Sequence, residues 1–444
     1  MRTFAAALAL TLTLVLLVAL LTACQALPFF ATPTPTLTPT PTQTPTPAPT
    51  ATPTPPVYLS LVTASALPPT STTGAILFST QAQTGATLLW QISSRGLFTV
   101  TDRLLDTAWD CSENRPGAPH CAFADQEGQI YTTTLAGSPA PLLIAPSLPV
   151  TRLDLAPNGL RLSLVLTDDL DILDLAEPAA AGGVSGLGEL AELQWAPDSQ
   201  HLAVITRTAD SANLYVLDLG GDDAPSQIAA GDWLGLVAWA PDSKRLAFAQ
   251  RGLDHPNGGS QRQDLFVSDA GGAEVLNRTE YFEDRQRPAP DHAFGVRWLT
   301  WLADSSTIAF TWTGWPVDPQ QVEVSVVAAA KDGGAPTAQL AAAGALLADG
   351  TRLAYSPDGA QVAALLRTAD GRRSVWGRPL ASDTWVALTP AEHTPLDLCW
   401  TSDSLALVYT TDEGSLYWLD SRGGLPVRLV AVAAPQRITR LQCP

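Results

Sequence analysis

AWAPDSKRLAF, residues Ala238–Phe248, restates QWAPDSQHLAV, residues Gln194–Val204. A catalytic motif is needed once in a chain, whereas a structural unit is needed as often as it is stacked. Related copies are WDCSENRPGAPHCAFAD from Trp109, LAPNGLRLSLVL from Leu155 and WLADSSTIAFTW from Trp301. YSPDGAQVAALL from Tyr355 and WTSDSLALVYTT from Trp400 complete the set. Each has an aromatic or leucine anchor, a Pro-Asp turn or its relic, and a strand of the form x-Leu-Ala-Phe. Proline pre-sets the first turn dihedral, aspartate bonds back to the local backbone, and Gly or Ser tolerates the corner. The flanking residues alternate as strand residues do when a face packs on a neighbouring sheet. Second hairpins such as NLYVLDL, DLFVSDA and SLYWLDS often follow.

Four short antiparallel strands in each unit of roughly 40 to 50 residues, repeated radially, describe an all-β propeller, because one such unit cannot bury its own apolar faces. The chain ends set the expected count. AILFST, TLLWQIS and LFTVT, between Ala75 and Thr101, read as three strands of a unit lacking its first. RITRLQCP, Arg437–Pro444, reads as that missing strand, with Leu441 as its anchor. Joining them closes the ring and hides two edges. The expectation is eight four-stranded blades, with seven as the alternative if the N-terminal strands only augment an edge.

The repeat resembles the TolB-like, WD40-like propeller repeats of exported bacterial proteins, also found in the propeller portion of prolyl oligopeptidases. The resemblance covers most of the chain after residue 74, and the Trp195, Trp239 and Tyr355 copies carry it best. It implies a fold far more than a function, since unrelated activities share propellers.

The N-terminal 56 residues have a different texture. Met1-Arg2, the apolar run Phe4–Leu21 and LTAC at Leu21–Cys24 form an export signal followed at once by a cysteine. This resembles the bacterial lipobox, which implies a cleaved signal at 1–23 and lipid on Cys24; an uncleaved single-span anchor is the alternative. The Thr/Pro-rich stretch Ala31–Pro56 has no charge and nothing to bury. Fully extended it reaches roughly 80 Å, a spacer that holds a domain off a surface. The expected organisation is thus a signal at 1–23, a lipid-anchored linker at 24–56 and a propeller at 57–444. The expected location is the outer face of a cell membrane or envelope.

Composition narrows the partners. The 444 residues carry a formal net charge of -18, which argues against nucleic acid and against an anionic bilayer surface as the main partner. Five cysteines are present. With Cys24 assigned to lipid, Cys111, Cys121, Cys399 and Cys443 remain, and an oxidising compartment favours two disulfides. Cys111 and Cys121 flank a polar turn, and a Cys399–Cys443 bond would staple the closing strand. No CxxC pair indicates zinc or redox chemistry.

Motifs for catalysis are missing from the sequence. GGVSGLG from Gly182 has the wrong spacing for a serine-hydrolase elbow, and the repeats leave no room for an α/β catalytic domain. TDDLDILD, Thr167–Asp174, lacks the central glycine and closing glutamate of a calcium loop. The candidate ligand region is the long interval between the Trp239 and Trp301 copies. It contains Asp254, His255, Tyr281, Arg285, Asp291 and His292, to which Trp312 and Trp315 add aromatic surface at a strand end. Solvated turns and core packing are the structural alternatives for these residues. No catalytic residue, metal or cofactor is assigned. The reading is a monomeric, non-enzymatic envelope module that binds a protein, peptide or glycan. A hydrolase or lyase working from propeller loops, and a structural subunit of an envelope complex, are the alternatives.

Overall fold

The computed structural model describes residues 62–443 outside segments 70–74, 113–119, 135–139, 142–149, 176–181, 252–261, 281–293, 314–321, 341–344 and 347–352 and a few shorter stretches. Cys24, the signal segment and the Thr/Pro-rich linker lie outside the described residues.

The repeat builds what its residues dictate. In the Trp239 unit, strand Leu234–Trp239 turns through Pro241-Asp242-Ser243 into strand Arg245–Arg251. The Asp242 carboxylate accepts the Lys244 N–H at 3.1 Å, closing the turn locally. Asp198, Asp304, Asp358 and Asp403 do the same in their own units, each bonding the N–H two residues on. Ser199, Ser243, Ser305 and Ser404 then turn the corner with φ between 52° and 60°, where Gly159 and Gly359 stand in two other units.

Large and small residues alternate along the next strand for a packing reason. Leu246 and Phe248 share a cluster with Trp239 and with Ala196, Ala203 and Ile205 of the preceding unit. Ala247 and Ala249 point the other way and receive Trp301, Ile308 and Phe310 of the following unit. Both faces of the strand are therefore covered, the bulky face reaching back and the alanine face accepting the next. Such interdigitation brings interiors to crystal-like density.

Among the described residues the strands form six hydrogen-bonded sheets. Two are four-stranded, built on Val150–Leu155 and on Glu189–Trp195. The expectation of eight four-stranded blades, or seven, is corrected: the chain builds a five-bladed β-propeller with one separate half-barrel sheet. Counting turns counts sequence units, whereas backbone pairing decides sheets, and pairing joins neighbouring units at two places. The 16-residue strand Gly96–Cys111 pairs with Thr87–Ser93 at its start and with His120–Asp125 at its end, giving a seven-stranded sheet. Arg262–Asp269 meets Phe294–Trp301 in parallel through Arg262↔Phe294 and Gln263↔Gly295, giving an eight-stranded one. Gly295 has φ 98°, and a Cβ there would lie 2.2 Å from the Gln263 carbonyl oxygen, so the close approach requires glycine.

The chain ends cross over. Arg437–Gln442 pairs with Ile76–Gln81 in the sheet of the N-terminal strands, while Val62–Ala64 pairs with Val427–Val432 in the sheet of the last repeat. Both disulfides are present, Cys111–Cys121 and Cys399–Cys443. The register also moves two anchors. Cys111 lies opposite Cys121, the place at which Trp195 faces Leu202, so Cys111 and not Trp109 holds the anchor position. In the last strand Leu441 faces Phe78, whose counterpart is Phe248; the anchor position therefore falls two residues later, on Cys443.

Candidate functional site

A cavity of about 520 Å³ is lined by the strands that lead into the repeat turns. Asp110, Cys111 and Ser112 come from the end of Gly96–Cys111, Arg152 and Asp154 from Val150–Leu155, and Glu192 and Gln194 from Glu189–Trp195. Val237 comes from Leu234–Trp239 and Gln442 from Arg437–Gln442.

A shared backbone device presents these side chains. The register slips between Val150 and Arg152, Leu190 and Glu192, Gly235 and Ala238, Val296 and Trp298, and Pro395 and Asp397. A bulge re-aims the residue that follows it, and here that residue is Arg152 or Glu192. On a strand, residues two apart share a face, so Arg152 lies beside Asp154 and Glu192 beside Gln194.

The charges are held in distinct ways. Arg152 grips Asp154 through Nε at 2.7 Å and Nη2 at 2.8 Å, and donates from Nη2 to the Leu193 carbonyl. Burial works against the Arg152 charge, yet the Asp154 carboxylate outweighs it and raises the guanidinium pKa. Glu192 accepts the N–H groups of Leu236 and Val237, both at 2.9 Å. Leu236 takes φ 60°, a conformation costly for a non-glycine residue, and in the same bulge two successive N–H groups face one carboxylate. Burial raises the Glu192 pKa, and those two N–H groups oppose the shift.

Asp110 is held unevenly at its two oxygens. Its Oδ2 accepts the Leu155 N–H at 2.8 Å, while Oδ1 has only longer contacts, 3.2 Å from Gln442 Nε2 and 3.4 Å from Arg440 Nη2. Burial and the nearby Asp154 charge push its pKa up to about 6, against the pull of Arg440 and its hydrogen bonds. Ser112 Oγ and Gln442 Oε1 are buried and have no protein partner.

Of the residues singled out from sequence, Asp254, His255, Tyr281, Arg285, Asp291, His292 and Trp315 lie outside the described residues. Trp312 is 4% exposed and packs in the core, its ring 5.1 Å beneath the Arg262 guanidinium. Arg262 in turn is buried and bonded to Asp264 at 2.8 Å, next to the parallel junction. The cavity residues were not candidates from sequence. Their signal is positional: one place before the anchor, Asp110, Asp154, Gln194 and Gln442 stand where other units have Ala238 and Ala354.

No family model matches the sequence, and no curated protein does. Among solved structures the chain is similar to TolB from Acinetobacter baumannii, with 15% identity, 74% of this chain and 81% of that one covered, and a TM-score of 0.39. It is also similar to a eukaryotic initiation factor, at 10% identity, 83% and 97% coverage and a TM-score of 0.49. An oligogalacturonate lyase solved with manganese shows 15% identity, 82% and 97% coverage and a TM-score of 0.47. With TM-scores below 0.5, these likenesses leave the chemistry of the cavity to its own residues.

Proposed function

We propose that the chain is a non-enzymatic binding module, lipid-anchored through Cys24 and held off the outer face of a membrane by its Thr/Pro-rich spacer. It takes a protein or peptide ligand at the cavity between its lead strands. A single observation carries this reading: a 520 Å³ cavity whose polar lining departs from the repeat at position after position. The turns recur from unit to unit, whereas the place three before the anchor holds Arg152 in one unit, Glu192 in the next and Leu236 in the third. Concave sites with a few convergent polar groups are where proteins take ligands.

The test is binding of the detergent-solubilised full chain to peptide arrays, beside a variant with Gln194→Trp to fill the cavity. Peptides retained by the wild type and lost by the variant support the reading. Equal retention by both places binding elsewhere and sinks it.

A hydrolase or lyase is the second reading, favoured by one observation. Asp110, pushed up to about 6, sits near the Asp154 carboxylate, and a carboxyl titrating close to neutrality suits general acid–base work. Turnover of a bound ligand by the wild type, absent from an Asp110→Asn variant, would move the assignment to this reading.

A further inference from the structure

We propose that the cavity binds a primary ammonium group, held by Asp110, Ser112 and Gln442. The inference rests on the cavity being the ligand site and names the chemistry it recognises.

The first step is to remove the groups already occupied. Arg152 and Asp154 neutralise one another in a two-contact pair. Glu192 is capped by two backbone N–H groups. Ser112 Oγ and Gln442 Oε1 remain without a partner, and Asp110 Oδ1 has only its longer contacts to Gln442 and Arg440. Ser112 is 2% exposed, and its hydroxyl, like the Gln442 oxygen, is buried without a partner. An unmade hydrogen bond on a buried polar atom costs roughly 1–3 kcal/mol, so a chain retaining two of them at one cavity has a use for them.

Geometry brings the three together. Asp110, on the strand Gly96–Cys111, and Ser112, just past its end, both line the cavity. Gln442 reaches them from the closing strand, its Nε2 donating to the Cys111 carbonyl at 3.0 Å and to Asp110 Oδ1 at 3.2 Å. The Cys111 bond fixes the amide, because a flipped Gln442 would set oxygen against the carbonyl oxygen. Its Oε1 is thereby committed as an acceptor.

The donor and acceptor count then selects the ligand. A carboxylate oxygen and an amide oxygen only accept, and a serine hydroxyl accepts as readily as it donates. Three acceptors on residues lining one cavity match the three N–H donors of an ammonium, which has no acceptor of its own. Charge agrees: three carboxylates line the cavity against the guanidinium of Arg152 and that of Arg440, 3.4 Å from Asp110, on a chain of net charge -18 that draws cations toward it. The ammonium can come from a peptide, as an α-amino or lysine group, or from a free polyamine.

Isothermal titration of the full-length protein in detergent separates the sources. The probes are an N-acetylated lysine peptide, its acetyl-lysine twin, a lysine-free peptide with a free amino terminus, spermidine, and a neutral disaccharide. Amine probes bind and the acetyl-lysine twin does not; peptide against spermidine identifies the source. Ser112→Ala, which breaks no protein hydrogen bond, weakens amine binding about tenfold or more, the worth of one hydrogen bond to a charged group. Asp110→Asn removes binding altogether. Affinity for the amine falls about tenfold per pH unit below about 6, as Asp110 takes up a proton among Arg440, Asp154, Arg152 and Glu192.

Amine affinities unchanged in Ser112→Ala overturn the inference, and so does binding of the disaccharide in place of the amines. If the peptide arrays show cavity-dependent binding while every amine probe fails, the ammonium assignment falls and the binding module stands.

Discussion

Two arcs of the molecule use the same repeat differently. From Trp195 to Trp301 the units are joined by one recurring bond. Trp195, Trp239 and Trp301 donate their indole N–H to the carbonyls of Asp154, Gln194 and Ala238, each the residue before the anchor in the preceding unit. Trp400 repeats the bond to Ala354. Around the chain ends the anchors are Cys443, Cys111 and Leu155, none of which has an indole, and other links take over. The Cys443 anchor is covalently joined to Cys399, the residue before the anchor of its neighbouring unit. Leu155 donates its backbone N–H to the Asp110 side chain. Arg440 donates to the Trp109 carbonyl, stacked over that indole, whose own N–H finds no acceptor. The recurring indole bond holds the fold, and the polar cavity lies where the two arcs meet, lined by Asp110, Arg152 and Gln442 from one and by Glu192 and Gln194 from the other. Repetition marks structure, and departure from it marks the candidate site.

The sharpest way to break this comparison is at Trp239. Trp239→Ala opens a large cavity among Leu246, Phe248 and Ala203, and is expected to cost about 3–5 kcal/mol by urea unfolding. A milder pair isolates the indole bond. Trp239→Phe loses the indole bond to the Gln194 carbonyl, whereas Trp109→Phe removes a buried donor that has no acceptor. Trp239→Phe is therefore expected to cost about 1–3 kcal/mol more than Trp109→Phe. Equal losses would mean that the two arcs are held alike.

Asp110 sharpens the comparison through pH. Its folded-state pKa of about 6 lies above the unfolded value of about 3.9. Below pH 4 both states are protonated and the group costs nothing. Between about 4 and 6 the unfolded chain ionises first, so stability falls as pH rises, and above 6 the loss is constant at about 2–3 kcal/mol. Asp110→Asn should flatten this part of the curve, read as unfolding midpoints from pH 4 to 7. Parallel curves for the two proteins would remove Asp110 from the account.

How much of this was legible in the sequence follows from the same contrast. The turn WAPDS repeats and SPDG varies it, so all-β repetition, the closing strand and the two disulfides could be read from residue types alone. The number of sheets could not. It depends on backbone pairing at Arg262 and Gln263 and on the length of Gly96–Cys111, and nothing in local residue choice announces either. The anchors Trp109 and Leu441 were misplaced because an aromatic or a leucine looks like an anchor, while register puts a cysteine there. The cavity was missed because its residues are spread over five strands far apart in sequence; Asp110 and Gln442 are more than three hundred positions apart and bond at 3.2 Å.

The smallest effect tests the turn itself. Ser243 holds φ 60° while its hydroxyl accepts the Asp198 N–H of the preceding unit at 2.9 Å. The same bond runs from Asn158 to Ser199, from Asp242 to Ser305 and from Asp358 to Ser404. Serine at this corner therefore does more than tolerate the turn, since it ties one unit to the next. Ser243→Ala keeps the backbone strain and loses the acceptor, for an expected cost of about 1 kcal/mol. Ser243→Gly also loses the acceptor but relieves a left-handed conformation worth roughly 1–2 kcal/mol, so it should come out near neutral. Gly159 and Gly359 hold the same corner at φ 68° and 69°, which is the trade already made in two units. Thermal unfolding that ranks alanine level with glycine would show that the hydroxyl and the strain do not compete, and the serine corners would then be no different from the glycine ones.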